Sequence, residues 1–338
     1  MRKLRACLLI LAVPLAAAAP SFALPADIPQ TKSDLGEQGN IFVAKTFDAY
    51  RQLHPNGACR AQGAGKRVIV AGYGLFSGVP YNISGSVVRS MADPAFWPDQ
   101  IVLGEPGASG AGSPVSGRVS ASDDGAVAFN RSLVIDGERY EACFLVLDVI
   151  WDLAGAIVIQ EETGFKPALI LMTGRGGGIA SFEAGAINRA TPYPGYDADG
   201  HPLGTINTPQ SEWLLPDSPV GSVLPMPWNP GALAAAVKSE TEQLGYSAFG
   251  QPAARPENNY LCNDISFVAL HASQNKATSL AGNRIALDSP GLSKEPVVGF
   301  MHFPAADGDH PDLSAYGPGI FAWGKILAKT IKLSSAGL

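Results

Sequence analysis

The sequence has no excess of basic residues, few charged residues, no internal repeat and only four cysteines. Its 30 Asp and Glu outnumber its 24 Lys and Arg, which gives a formal net charge of -6. This balance argues against binding of nucleic acid or anionic lipid through bulk charge. With 46% hydrophobic and 16% charged residues, the 338-residue chain can bury a large core and does not have the composition of a disordered protein.

The amino terminus has the three-part layout of a secretory signal peptide. A basic start precedes an apolar run over residues 6–19 and a small-residue cleavage signature that ends at Ala23. We predict cleavage after Ala23 and export to the periplasm or the medium, which leaves a mature net charge of -6 - 3 = -9. A retained membrane anchor is the alternative, but the run is short for a span. No later segment is a convincing span, because Asp148 and Asp152 interrupt the best candidate.

Strand and helix patterns alternate along the mature chain. The runs RVIVA, ALILM and VVGFM are apolar throughout, as buried strands of α/β sheets are. The Asp136-Gly137 pair between two apolar runs predicts a β-hairpin. We therefore predict a three-layer α/β/α sandwich with a mixed, largely parallel central sheet. It forms one domain over 24–338, with insertions near 104–125, 190–230 and 272–295.

Three cysteines remain after signal cleavage, so one thiol stays unpaired if the other two form a disulfide. Cys59 lies in a polar loop and Cys143 opens an apolar strand pattern, and we predict that these two are paired. Cys262 is then the free thiol. It sits at a corner, in NNYLCND, where a short apolar approach meets the first turn of a predicted helix. A helix amino terminus stabilises a thiolate and can stabilise an oxyanion, so we expect a lowered pKa at Cys262 and a nucleophilic role.

A nucleophilic thiol needs a base, and His302 is the best-placed of the five histidines. It follows the strand pattern PVVGFM, and strand ends are where α/β sheets place functional groups. His271 lies nine residues after Cys262 on the same predicted helix, too far along the axis to reach the thiol. Glu183 follows a strand and a glycine-rich loop and can orient His302. An ordinary glutamate in the first turn of a helix is the alternative for Glu183.

Four motifs, in order, resemble the pyroglutamyl peptidase I family of cysteine exopeptidases. VIVAGYGLFSGVPYNIS is similar to the family's opening strand and turn, and LILMTGRGGGIASFEAGAIN to its glycine-rich segment with the catalytic glutamate. NNYLCND is similar to the nucleophile elbow, and GFMHFP to the strand that carries the histidine. The resemblance covers the chain from about Val68 to the last helix, with large insertions.

The resemblance implies that Cys262 attacks the amide carbonyl after an N-terminal pyroglutamyl ring, with His302 as base and Glu183 orienting it. It also implies that Tyr73 and Phe76 embrace the ring, while Tyr260 and Leu261 line the same pocket. The loop GRGGG lacks the family's glutamine and places its arginine differently, so Arg175 is expected to substitute from a shifted position. The expected partner is an N-terminally blocked peptide or a small amide, without metal or cofactor.

Two alternatives stay open. The same triad can serve an amidase or another hydrolase with a changed substrate. The altered glycine loop favours a second possibility, a catalytically inactive binding module. The acidic cluster DGDHPD, residues 307–312, fits a solvated turn better than a set of metal ligands.

Overall fold

The computed structural model describes residues 35–76, 82–103, 119–122, 124–177, 179–255, 257–304 and 313–337, with the backbone alone for 313–319. These residues all fall within one compact unit, Thr31–Leu338. The predicted signal peptide 1–23, most of the 104–125 insertion and the acidic cluster at 307–312 lie outside the described residues.

The regular elements alternate between helix and strand for most of the chain. In order they are α1 (Gly36–Leu53), β1 (Lys66–Tyr73), α2 (Ile83–Met91), β2 (Gln100–Ile101), β3 (Ala126–Ile135), β4 (Glu138–Leu147), α3 (Leu153–Phe165), β5 (Leu169–Arg175), β6 (Ala180–Glu183), β7 (Gly185–Ile187), β8 (Val223–Pro225), α4 (Pro230–Ala236), α5 (Lys238–Gln243), β9 (Ala248–Gln251), α6 (Leu261–Ser273), β10 (Thr278–Leu280), β11 (Ile285–Leu287), β12 (Val297–Phe303) and α7 (Leu313–Ser335). A short 3-10 helix spans Gly204–Asn207.

The central sheet has eight strands in the order β2-β3-β4-β1-β5-β12-β6-β9. Five of its seven pairings are parallel, and β3–β4 and β12–β6 are antiparallel. Helices α1, α3 and α6 form one group, in which α3 contacts both α1 and α6. Helices α2 and α7 contact each other and form a second group. Both groups also contact the central strands. The predicted α/β/α class with a mixed, largely parallel sheet is confirmed.

The apolar runs and the Asp136-Gly137 pair form the buried strands and the tight turn that they predict. The central strands β1, β5 and β12 are almost completely buried, since helices cover both faces of a parallel sheet. The β3–β4 hairpin turns at Asp136 and Gly137, whose φ angles are 46° and 81°. Two positive φ values define the tight turn that matches strand twist, and Asp-Gly is one of the pairs that tolerates it.

Two local predictions are wrong: a single helix over about 231–244, from the pattern GALAAAVKSETEQLG, and a strand directly before Cys262. The predicted helix over 231–244 is two helices that part at Val237: α4 packs on β6 and β9, whereas α5 contacts α7 as well as β9. The stretch before Cys262 is not a strand, since turn hydrogen bonds Arg255 N to Ala253 O and Asn258 N to Arg255 O take its place. The 190–230 segment has little regular structure, as its weak periodicity predicts, and the buried Asn188 side chain bonds several backbone groups there, including Leu214 N and Leu215 O.

The Cys59–Cys143 disulfide is present, and Cys262 is a free thiol in the described part of the chain. The disulfide fastens the segment between α1 and β1 to β4. Glu161 on α3 reinforces the same junction: its carboxylate accepts hydrogen bonds from the Tyr50 hydroxyl at 2.7 Å and from the Cys59 amide at 2.7 Å. Covalent and polar bonds together therefore hold α1, a helix that was not predicted from the sequence, against the rest of the domain.

Across the residues that the structure describes, no helix combines the length and the apolar character needed to cross a membrane.

Candidate active site

Three functional side chains converge where β5, β6 and β12 meet. His302 pairs with Gly174 of β5 on one side and with Ser181 of β6 on the other. Glu183 lies two residues beyond Ser181, and alternate residues of a strand point to the same face of a sheet. Glu183 therefore points to the same face as His302. It is the last residue of β6, so the alternative of a glutamate in the first turn of a helix is wrong.

Glu183 and His302 are joined by a hydrogen bond of 2.9 Å between Oε1 and Nε2. Because a carboxylate accepts, the imidazole proton in the neutral ring is assigned to Nε2. Nδ1 of His302 is then the basic nitrogen, and it is buried with no hydrogen-bond partner among the described residues. A buried, unpartnered nitrogen is costly for folding, and a general base needs a lone pair available to take a proton.

Arg255 contacts the other side of the Glu183 carboxylate. Its guanidinium donates to both oxygens, with a separation of 2.7 Å between Nη2 and Oε1. Burial alone would raise the pKa of Glu183, but the hydrogen bonds from His302 and Arg255 outweigh burial and leave that pKa below its ordinary value. The carboxylate therefore stays ionised at neutral pH. Arg255 was not among the predicted site residues, and no local motif marks it.

The backbone of Glu183 is also held. The indole nitrogen of Trp228 donates to the Glu183 carbonyl at 2.6 Å, and its ring packs edge to face on Phe182. Trp228 lies so close to β12 that a Cβ added to Gly299 would overlap its ring. The absence of a side chain at Gly299 is what admits the indole. This packing fixes β6 against β12 and with it the contact between Glu183 and His302.

Cys262 is the second residue of α6, at the corner that the sequence predicted. The amides of Asn263 and Asp264 donate to the Tyr260 carbonyl, at 2.8 and 3.0 Å. The amides of Leu261 and Cys262 also lie in the first turn of the helix, where backbone donors can stabilise an oxyanion.

The Asn263 side chain anchors this corner to the rest of the domain. Its Oδ1 accepts from the Ile187 amide at 2.9 Å, and its Nδ2 donates to the Ile187 carbonyl at 2.8 Å. These bonds reproduce a strand-like pairing with β7 and set the position from which α6 begins. The Asn that follows the cysteine is therefore an anchor for the helix start.

The Cys262 thiol does not have the lowered pKa expected from its position at a helix start. Burial raises its pKa to about 12, and the negative charge of Glu183 adds to that increase. The positive charge of Arg255 opposes the increase without cancelling it. Desolvation therefore dominates at this half-buried thiol, although it lies in the first turn of a helix. The resting state is a neutral thiol, so a base must remove its proton as it attacks.

The thiol and the imidazole lie over the same face of the end of β5. A Cβ built on Gly174 would stand 2.8 Å from Sγ of Cys262, and a Cβ on Gly176 would stand 3.3 Å from Nδ1 of His302. Positions 174 and 176 point to the same face, since the Gly176 amide continues the ladder by donating to the Phe303 carbonyl at 2.7 Å. The two glycines leave room for the nucleophile and the base above one short stretch of backbone.

A cavity of about 80 Å³ opens beside the thiol. All five residues that were expected to bind substrate line it together with Cys262: Tyr73, Phe76, Arg175, Tyr260 and Leu261. Asn82 and Val149 complete the lining and were not predicted. The Asn82 side chain is engaged by its own chain, because it donates to the Gly74 carbonyl at 2.9 Å and accepts from the Ser84 amide at 3.1 Å.

The cavity has aromatic walls that contacts outside it hold in place. The Tyr73 hydroxyl donates to the Leu261 carbonyl at 2.9 Å, so its ring, not its hydroxyl, faces the cavity. Tyr260 packs edge to face on Trp151, and its hydroxyl donates to the Pro194 carbonyl at 3.0 Å. The guanidinium of Arg175 stands 5.8 Å from the centre of the Phe76 ring. Such walls suit a small, flat, largely apolar group.

A second cleft and a buried histidine lie apart from this site. A larger cleft of about 350 Å³ lies at the opposite ends of β5 and β12, and no cysteine or histidine is among its lining residues. The described residues contain no group of three or more His, Cys, Asp and Glu side chains that could hold a metal ion. His271 is buried and its Nδ1 lies 3.0 Å from the Thr278 hydroxyl, which is a structural contact within the fold.

Comparison with known proteins gives a remote structural similarity. No protein-family model matches the chain, and a search of curated proteins finds no match. Among solved structures, a mutant pyrrolidone carboxyl peptidase from the hyperthermophile Pyrococcus furiosus is 16% identical, with 79% of this chain and 98% of that chain covered and a TM-score of 0.44. The enzyme from Thermus thermophilus is 18% identical over 77% and 98%, with a TM-score of 0.41. Pyroglutamyl peptidase I from Bacillus amyloliquefaciens is 16% identical over 78% and 96%, with a TM-score of 0.38. Scores this low do not assign a family or an activity to this chain.

Proposed function

We propose that this protein is an exported cysteine exopeptidase that removes an N-terminal pyroglutamyl residue with a Cys262-His302-Glu183 triad. The observation that carries the proposal is the placement of the thiol and the imidazole over one face of the β5 end, with Glu183 hydrogen-bonded to the imidazole. The cavity beside the thiol supports the choice of substrate, since the residues that the family resemblance assigns to the lactam ring line it. Export rests on the signal-peptide pattern.

In the proposed mechanism, Nδ1 of His302 takes the proton from the Cys262 thiol as Sγ bonds to the carbonyl carbon. The carbonyl oxygen becomes an oxyanion that faces the amides of Leu261 and Cys262. His302, now doubly protonated, is stabilised by the ionised Glu183. It then gives its proton to the leaving amine as the carbon–nitrogen bond breaks, which leaves a pyroglutamyl thioester on Cys262.

Hydrolysis of the thioester completes the cycle. Nδ1 of His302 takes a proton from a water molecule as its oxygen bonds to the acyl carbon. The carbon–sulfur bond breaks, the imidazole returns the proton to sulfur, and pyroglutamate leaves. The raised thiol pKa makes proton transfer part of the attack, so the reaction depends on His302 more strongly than it would with a preformed thiolate.

The test is release of a fluorescent amine from its pyroglutamyl amide by the purified protein, with a mild reductant that spares the disulfide. Prolyl and glutamyl amides of the same amine serve as comparison substrates, and Cys262→Ala is the control. Turnover of the pyroglutamyl amide alone, lost in Cys262→Ala, is the expected result.

Other outcomes would replace the proposal. Cys262-dependent turnover of another amide would indicate an amidase with a changed substrate. No turnover of any amide, together with a Cys262 that iodoacetamide fails to alkylate even near pH 10, would indicate a binding module.

A further inference from the structure

Arg255 makes a two-point contact with the catalytic carboxylate. Its guanidinium bonds both oxygens of Glu183, and one of those oxygens also accepts from His302. Arg255 is 14% exposed and Glu183 only 4%, so water screens this ion pair weakly. Because Glu183 orients His302, a two-point contact with its carboxylate can affect the position of the base as well as join two segments of the chain.

We propose, on the basis of the proposed peptidase function, that Arg255 is a positioning residue that clamps the Glu183 carboxylate so that His302 presents Nδ1 to the Cys262 thiol. The terminal torsion of a glutamate side chain is soft and roughly two-fold, so a carboxylate held at one oxygen can rotate. Rotation of Glu183 would move Oε1 away from Nε2 of His302. A planar guanidinium fork fixes the carboxylate plane, which an ammonium group cannot do.

The segment that carries Arg255 makes the clamp rigid and connects it to the nucleophile. The Arg255 guanidinium also donates to the Pro252 carbonyl at 3.0 Å. The Asn258 side chain donates to the Ala253 carbonyl at 2.9 Å, and the Asn258 amide to the Arg255 carbonyl at 3.1 Å. This turn leads within seven residues to Cys262. One segment therefore holds Glu183 through Arg255 and delivers Cys262 to the site.

The clamp also supplies a charge. Glu183 alone would place a negative charge beside a thiol that must lose a proton, and Arg255 offsets that charge. Arg255 does not line the cavity, so it takes no part in binding the pyroglutamyl ring. The predicted signature of its loss is accordingly a fall in kcat with little change in KM.

The experiment uses Arg255→Ala, with Glu257→Gln as the matched control. Glu257 is the other carboxylate near Arg255, at 3.8 Å, but it is 72% exposed and outside the triad. We expect Arg255→Ala to lose about 10–100-fold in kcat, as misplacement of a catalytic group does, and Glu257→Gln to stay within about twofold. Free guanidinium at a non-denaturing concentration should restore part of the lost rate, whereas urea, which has a similar shape and no charge, should not.

Two further readouts keep the test decisive. The rate of Cys262 alkylation by iodoacetamide at fixed pH should fall in Arg255→Ala and recover with guanidinium; this readout needs no substrate, so it tests the clamp even if pyroglutamyl amides are not hydrolysed. If Arg255→Ala does not fold, Arg255→Lys replaces it, and a loss of kcat at an unchanged melting temperature is expected. An unchanged kcat and alkylation rate, or equal rescue by urea and guanidinium, would overturn the proposal.

Discussion

Substitution of Gly174 by alanine should disable the site by displacing the nucleophile. The added Cβ would stand 2.8 Å from Sγ of Cys262 and 2.8 Å from the Phe300 ring. Ordinary contact begins at 3.4 Å, so the thiol and the ring must each move away by about 3.4 - 2.8 = 0.6 Å. A misplacement of about 1 Å can cost about 10²-fold in rate. We therefore expect kcat/KM to fall about 10–100-fold, with a loss of about 1–3 kcal/mol in unfolding free energy from overpacking.

Gly177→Ala is the matched control in the same loop, because a Cβ there meets nothing within 4 Å. Both variants would be assayed for pyroglutamyl-amide turnover, for the rate of Cys262 alkylation and for melting temperature. Gly177→Ala should remain within about twofold of the parent protein in all kinetic readouts. If Gly174→Ala also stayed within twofold, the thiol would not lie over β5 as described and the reasoning would be refuted.

Three further predictions concern stability and the thiol. Replacing both Cys59 and Cys143 by alanine opens a loop with a sequence separation of 84, for which loop entropy gives about 4.6 kcal/mol. Guanidinium denaturation should show that the free energy of unfolding falls by about 2–5 kcal/mol, and a fall of less than about 1 kcal/mol would contradict this. Burial raises the pKa of Glu162 from 4.5 to about 8, so the folded state holds a proton there that the unfolded chain loses as pH rises. Glu162→Gln should therefore stabilise the protein by about 3 kcal/mol near pH 7 and by almost nothing below about pH 4, and an equal gain at both pH values in denaturation experiments would count against it. With a Cys262 pKa of about 12, iodoacetamide alkylation should accelerate about tenfold per pH unit between about pH 7 and pH 10, and a plateau below about pH 8 would reveal a thiolate instead.

The parts of the fold that were predicted from sequence are those that local patterns determine. The fully apolar strands, the Asp136-Gly137 hairpin and the helix start at Cys262 each depend on a few consecutive residues. Helix α1 was missed although its buried residues Val43, Phe47 and Tyr50 follow helical spacing. That spacing is a local signal from which the helix could have been predicted.

The parts that were not predicted depend on contacts between distant residues. Arg255 bonds Glu183 across 72 positions, and nothing near Arg255 in the sequence indicates that partner. The raised pKa of Cys262 results from burial, which a helix-start motif cannot reveal. The helix predicted over 231–244 divides at Val237, and its second half contacts the distant helix α7. Motif and periodicity identify candidates, while electrostatics and support come from the assembled fold.

Affinity labelling of the thiol tests the central claim most directly. Pyroglutamyl chloromethyl ketone carries the lactam ring next to a carbon that reacts with thiols, and peptide mapping identifies the labelled residue. We expect this reagent to label Cys262 at least about tenfold faster than chloroacetone, which has the same chloromethyl ketone without the ring, because even about 1.4 kcal/mol of binding in the cavity gives that factor. Excess 2-pyrrolidone should slow the labelling. Equal rates with the two reagents, or labelling that 2-pyrrolidone does not slow, would contradict a pyroglutamyl pocket beside a nucleophilic Cys262.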